Sequence, residues 1–228
     1  GDGCPRFGRL RLMKLETFSS AWPVVRFDEI DSTNEEARRR ASSGDIGPCW
    51  LVTEQQTAGR GRLGRQWSSP KGNLFATALL PWPGTLQEAA LACFSAGLAV
   101  IDAARMLGVD GAALKLKWPN DVLAGSAKVT GILIETGNLH GQLWMAAGIG
   151  VNVEVAPERS DRVTSCLTAL PGGSGATSQK MLGALDIAFR ARAFQLLTEG
   201  FGPTRDAWLA HAAFMGAKVE LTPVSGRI

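Results

Sequence analysis

The apolar positions fall into short runs and longer periodic stretches. Residues 24–30 read as a strand. Ser32-Thr33-Asn34-Glu35 has the S-x-x-E form of a capping box and predicts a helix through about Ala41. Apolar runs at 48–53 and 73–80 predict two more strands, the second ended by Pro81 and Pro83. Residues 87–107, rich in alanine and leucine, predict a long, largely buried helix. A strand is expected at 114–118. Residues 129–135 and 142–148 predict an antiparallel pair turned at 137–141. Pro, Gly and Ser dominate 154–177, which reads as a long connection. Leu182, Leu185, Phe189, Ala193 and Leu196 recur on one face of a helix over 178–199, which Gly200 can cap. Pro203 can open another helix to about Ala213, and 218–222 begins a further strand. Strands and helices mix without a regular βαβ alternation. The expected class is α+β, with a mixed, largely antiparallel sheet packed with helices.

Composition narrows the function classes. The chain has 228 residues, 45% hydrophobic and 20% charged, which is an ordinary globular balance with ample core. Its net charge of +3, from 24 basic and 21 acidic residues, is too even for general nucleic-acid binding. Cys4, Cys49, Cys93 and Cys166 form no CxxC pair, and His140 and His211 are the only histidines. Neither a zinc site nor a disulfide framework is suggested, and a reducing cytoplasm fits. The apolar stretch 89–101 is interrupted by Ser95 and Gly97 and falls short of the roughly 20 residues that span a bilayer. The expected partners therefore include neither nucleic acid nor membrane. The start has no apolar core of the kind a secretory signal carries, and Met13 can be a natural start. Residues 1–22 read as a leader or extension and 23–214 as the main domain.

The most informative chemistry lies between the two strand runs. Gly59-Arg60-Gly61-Arg62-Leu63-Gly64-Arg65-Gln66-Trp67 alternates glycine and arginine and ends in an indole. Glycine lets backbone turn tightly and approach a ligand. Arginine offers a permanent charge and a planar fork of donors suited to phosphate and carboxylate. Such a loop is built to close over a small polyanion. Gly-Arg runs also serve as solvated loops or nucleic-acid tails, but a tail would not sit between two core strands.

Lys117-Trp118-Pro119-Asn120-Asp121 would display Asn120 and Asp121 at a strand edge, though Pro-Asn-Asp is also good turn chemistry. Lys128 stands at the mouth of an apolar strand, where a lysine can hold two anions together. A merely solvated lysine is the plainer alternative. Gly131 inside that strand suggests a close approach or a bulge. Gly148-Ile149-Gly150-Val151-Asn152 would let a flat ring lie on backbone, with Asn152 reading an adenine edge, or would simply be a glycine turn. Ser32, Thr33 and Gln56 are uncharged donors and acceptors flanking the loop, suited to a ureido or amide group. Ser32 can equally be just a helix N-cap.

Taken in order, Asp31 to Asn34, Glu54 to Trp67, Lys117 to Asp121, Lys128 to Glu135 and Gly148 to Asn152 resemble the catalytic domain of biotin protein ligases, from about residue 25 to residue 213. The resemblance implies the biotin/lipoyl ligase fold and a two-step reaction. Biotin and ATP, with Mg²⁺, give biotinyl-5′-AMP and pyrophosphate. The adenylate then acylates one lysine of a biotin carboxyl carrier protein, usually a subunit of acetyl-CoA carboxylase. It further implies that Ser32, Thr33, Gln56, Gly59 and Gly131 hold the biotin head. Arg60 and Arg62 would clamp the carboxylate and α-phosphate, and Lys128 would bridge them. Arg65 and Trp67 would meet triphosphate and nucleotide, and Asn152 the adenine. Asn120 and Asp121 would lie near phosphates and metal, with Asp121 as a Mg²⁺ ligand and a base toward the incoming lysine.

The chain departs from the pattern in two places. Leu63 fills a loop position often charged or polar in the family. Residues 215–228 correspond only to the start of the family's small C-terminal β domain. The motifs suggest the monofunctional type, without an N-terminal DNA-binding domain, and leave monomer and homodimer open. Two rivals remain at this level: a lipoyl or octanoyl ligase or transferase of the same fold, and a catalytically weak biotin-binding module.

Overall fold

Seven strands form one sheet in the computed structural model, which describes residues 16–217. They are β1 (Val24–Ile30), β2 (Cys49–Gln56), β3 (Leu74–Pro81), β4 (Leu114–Lys117), β5 (Asp121–Ala124), β6 (Ala127–Leu139) and β7 (Gln142–Val151), in the spatial order β1-β2-β3-β7-β6-β5-β4. Strands β1 and β2 pair in parallel and all other neighbours pair antiparallel. Helices α1 (Thr33–Ser42), α2 (Leu86–Met106), α3 (Ser178–Glu199) and α4 (Phe201–His211) complete the expected α+β architecture.

The two-residue period of the central strands sorts side chains onto two faces. Trp50 and Val52 of β2, Ala76 and Ala78 of β3, and Ala147 and Ile149 of β7 face α2 and α3 in the main core. Cys49, Leu51, Leu79 and Ala146 face the other way, against Ala37 of α1. Helix α2 is long and apolar enough to cross a membrane, but 61% of its most apolar window is buried inside the fold, as a core helix should be.

The capping box expected at Ser32–Glu35 does not form, because Ser32 makes no side-chain cap bond. Glu35 is drawn instead to Arg38 and Arg60, and its charge is spent on those pairs. A full capping box occurs at Thr85–Glu88, opening α2. Strand β5 was not foreseen. It is four residues long, and its first residue is Asp121, for which the residue pattern offers a strand edge or a turn. The β6–β7 hairpin is longer than expected and turns on His140 and Gly141, both with positive φ, as the right-handed twist of the strands demands.

Phe18 and Trp22 lie in the stretch read as a leader, yet both are buried in the core. Trp22 packs against Trp50 and Phe189 at centroid distances of 6.0 Å. Asp186 of α3 accepts from Trp50 Nε1 at 2.9 Å and from Arg190, tying helix to sheet. The strand expected at 218–222 lies outside the described residues.

Candidate active site

On the α1 side of the sheet a cleft of ≈ 290 Å³ opens between the glycine-arginine loop, the turn after β4, and the segment after β7. Its floor depends on missing side chains. A Cβ at Gly150 or at Gly131 would stand 2.6 Å from the Trp67 indole. The ring therefore lies flat over β6 and β7. A flat ring on Gly150 was expected, but the one found belongs to the chain itself. Gly148 makes similar room for the side chain of Asn34.

Lys128 is the electrostatic centre. Its Nζ donates to Asp121 Oδ1 at 2.5 Å and sits 5.3 Å from the Trp67 ring centroid. Burial pushes its pKa below the usual lysine value, and the Asp121 charge works against that shift. Asp121 pairs with Gly131 across β5 and β6, and the register shifts between Val122 and Leu123, so that Lys128 stands opposite Leu123.

One end of the cleft is neutral. Thr33 donates from its backbone N to Gln56 Oε1 at 2.9 Å, and Gln56 Nε2 donates to Ser69 Oγ at 3.1 Å. The Thr77 hydroxyl donates to Asn34 Oδ1 at 2.6 Å and lies 2.8 Å from the Thr33 hydroxyl. Ser32, Thr33 and Asn34 are all nearly sequestered from solvent, which fixes this polar lattice in place. Asn34 and Thr77 had not been singled out. Asn34 belongs to the Asp31–Asn34 motif without a role of its own there, and Thr77 falls within the 73–80 strand run.

The other end is cationic. Arg62 and Arg65 line it and make no ion pair among the described residues. Arg60 also lines the cleft, but its guanidinium is held by Glu35 at 2.8 Å and Glu135 at 3.5 Å. In this structure it anchors the loop rather than offering a bare charge. Gly59 is not part of the lining. It accepts from Trp67 N at 2.9 Å, and a Cβ there would collide with Trp67 O, so it closes the base of the loop. Leu63 sits at the tip in the left-handed region, φ 58°, and is 70% exposed.

Asn152 is buried, and its Nδ2 donates to Lys128 O and Ser165 O. Its Oδ1 is buried with no partner among the described residues, an acceptor held ready at the cleft wall. Asn120 donates to Ile132 O at 2.8 Å and so fixes the turn that presents Asp121. No motif marks Arg159 and Arg162, which also line the cleft from the segment read as a connection. Arg159 Nη1 donates to Gln66 O at 3.3 Å, joining that segment to the glycine-arginine loop.

Such an arrangement suits the joining of an acid to a nucleotide. The chain belongs to the biotin/lipoate A/B protein ligase family, whose model matches residues 27–153. It is 41% identical over 195 residues to the biotin–[acetyl-CoA-carboxylase] ligase of Paracoccus denitrificans, across 83% of this chain and 80% of that one. The Mycobacterium tuberculosis enzyme of the same name is 40% identical over 137 residues, 58% of this chain and 50% of the relative. Among solved structures, the biotin protein ligase of Leishmania major in complex with biotinyl-5-AMP superposes with a TM-score of 0.74 at 25% identity, covering 90% of this chain and 87% of that one. The Aquifex aeolicus biotin protein ligase in complex with biotin and ATP gives 0.70 at 26% identity, covering 84% and 79%.

Proposed function

We infer that this chain is a biotin protein ligase. It joins biotin to ATP as biotinyl-5′-AMP and then passes biotin to a lysine of a carrier protein, the acetyl-CoA carboxylase subunit. The observation that carries the reading is Lys128, buried between the neutral end built on Gln56 and the arginine-rich mouth. A carboxylate and an α-phosphate repel one another as they close. A fixed cation between them offsets that repulsion most strongly where water is excluded.

In the first step a carboxylate oxygen of biotin bonds to the α-phosphorus, and the bond to the β-phosphate oxygen breaks with its electron pair leaving on pyrophosphate. Thr33, Gln56 and Ser32 orient the ureido head. Lys128 faces the meeting point. Arg62 and Arg65 fold over the product and keep water from the mixed anhydride. Asn152 Oδ1 accepts from the exocyclic amine of adenine. In the second step the lysine amine bonds to the biotin carbonyl carbon, AMP leaves, and Asp121 takes the proton the amine gives up.

Mg²⁺ accompanies ATP. Asp121 is the one carboxylate in the cleft lining, and among the described residues no group of three metal-ligating side chains occurs. That donor set suits a Mg²⁺ held mostly by substrate phosphates and water, which needs only one or two protein carboxylates. When bound, it would neutralise part of the phosphate charge. A cytoplasmic location accords with the reading.

Competition between acids tests the substrate. With MgATP, adenylate should form from biotin and persist in an excess of lipoate. Preferential adenylation of lipoate would overturn the choice, because the neutral lattice around Gln56 would then have nothing to recognise.

A further inference from the structure

The segment after β7 is bolted to the strand that carries Lys128. Lys128 N donates to Val163 O at 2.9 Å, and Ser165 N donates back to Lys128 O at 3.0 Å. Thr164 Oγ1 donates to Pro157 O at 2.6 Å, bracing the segment on itself. Arg162 directly precedes the bolted residues and lines the cleft. Asp161 lies between two guanidiniums: Arg159 Nε and Arg162 Nε each donate to it at 2.9 Å. Two cations thus share one carboxylate, leaving one positive charge in excess. Arg162 is close enough for its charge to act on Lys128, and the Asp121 charge acts on Arg162 in turn.

The charges in the cleft sort by their existing partners. Arg60 is offset by Glu35 and Glu135, and Lys128 by Asp121. The α-phosphate must lie at Lys128, where the acid meets it. Arg62, Arg65, Lys117, Arg159 and Arg162, which line the same cleft, are then the cations left to meet the β- and γ-phosphates.

We propose that Arg162 binds the β- and γ-phosphates of ATP and stabilises the departing pyrophosphate, with Asp161 holding its guanidinium in position beforehand and Arg159 coupling the segment to the glycine-arginine loop. This rests on the ligase reading above. As the bond from the α-phosphorus to its bridging oxygen breaks, negative charge grows on the pyrophosphate, and a guanidinium can exchange a carboxylate for phosphate oxygens of the same geometry. The bond from Arg159 to Gln66 O means that phosphate drawn to this cluster also steadies the glycine-arginine loop.

The test compares the full chain with Arg162→Ala and Arg162→Lys in both half-reactions. For Arg162→Ala, the KM for ATP and the inhibition constant of inorganic pyrophosphate should each rise about tenfold, the loss of one charge-assisted contact. The KM for biotin should not move. Transfer from synthetic biotinyl-5′-AMP to carrier, which involves no pyrophosphate, should keep its rate. Arg162→Lys should fall between. Unchanged ATP and pyrophosphate constants would overturn the proposal. So would an equal loss of transfer from biotinyl-5′-AMP, which would make Arg162 a support of the segment. Absence of exchange in the unsubstituted chain would instead overturn the ligase reading itself.

Discussion

Lys128 shows how a single residue acquires a task from its surroundings. Its ammonium is buried, which weakens its hold on the proton, while Asp121 2.5 Å away strengthens it. Replacing it with alanine removes the cation at the point where two anions meet. Lys128→Ala should lower biotin-dependent pyrophosphate exchange by about 100-fold or more, in line with losing one well-placed electrostatic contact. Thermal unfolding should show the fold retained, and exchange at the unsubstituted rate would remove Lys128 from the chemistry. Asp31 illustrates the opposite case, a surface group whose effect is slight. It receives a forked pair of bonds from Arg39 and one from Ser32 N, and Arg39 holds its pKa at about 2. That depressed value makes the pair stabilising above the ordinary pKa near 3.8 and removes the contribution as pH falls through about 2. Solvent screening limits it to about 0.5 kcal/mol. Asp31→Asn should therefore unfold slightly more easily than the parent at neutral pH, and urea curves of the two should converge below pH 2.

The elements were legible to different degrees, for physical reasons. Long runs with a clear period, such as α2 and α3, declare themselves because their burial demands the pattern. Strand β5 did not, since four residues beginning at Asp121, directly after Pro119-Asn120, look like a turn until β4 and β6 supply partners on both sides. The site was readable where a residue type is forced by chemistry. Gly131, Gly150, the loop arginines and Lys128 were each singled out, although the ring over the glycines is the chain's own Trp67. Arg159 and Arg162 were not, because a Pro- and Gly-rich segment gives no sign that hydrogen bonds to Lys128 will fold it into the cleft. Nor did Glu35 and Glu135 betray that they restrain Arg60. Contact across elements also governs stability. Asp186 joins α3 to Trp50 and to Arg190, with about 11% of its side chain exposed. Asp186→Ala leaves a guanidinium and an indole N–H without that acceptor. A loss near 3 kcal/mol is expected from urea unfolding, and a loss below about 1 kcal/mol would show that water replaces the carboxylate.

At the scale of the molecule, one sheet does two jobs on two faces. The α2–α3 face is closed and apolar, so it holds the strands rigid. The α1 face is kept open by glycine and polar side chains, so it can take a ligand. Precise strand register then carries Lys128, Asp121, Gly131 and Asn152 into one cleft from β5, β6 and the end of β7. The central claim is that this cleft joins a biotin carboxylate to the α-phosphate of ATP. Exchange of labelled pyrophosphate into ATP by the purified chain, with and without biotin, tests it most directly. Exchange that requires biotin, and that Lys128→Ala loses, is the predicted result. Exchange indifferent to biotin, or none in protein that binds both biotin and ATP, would contradict it.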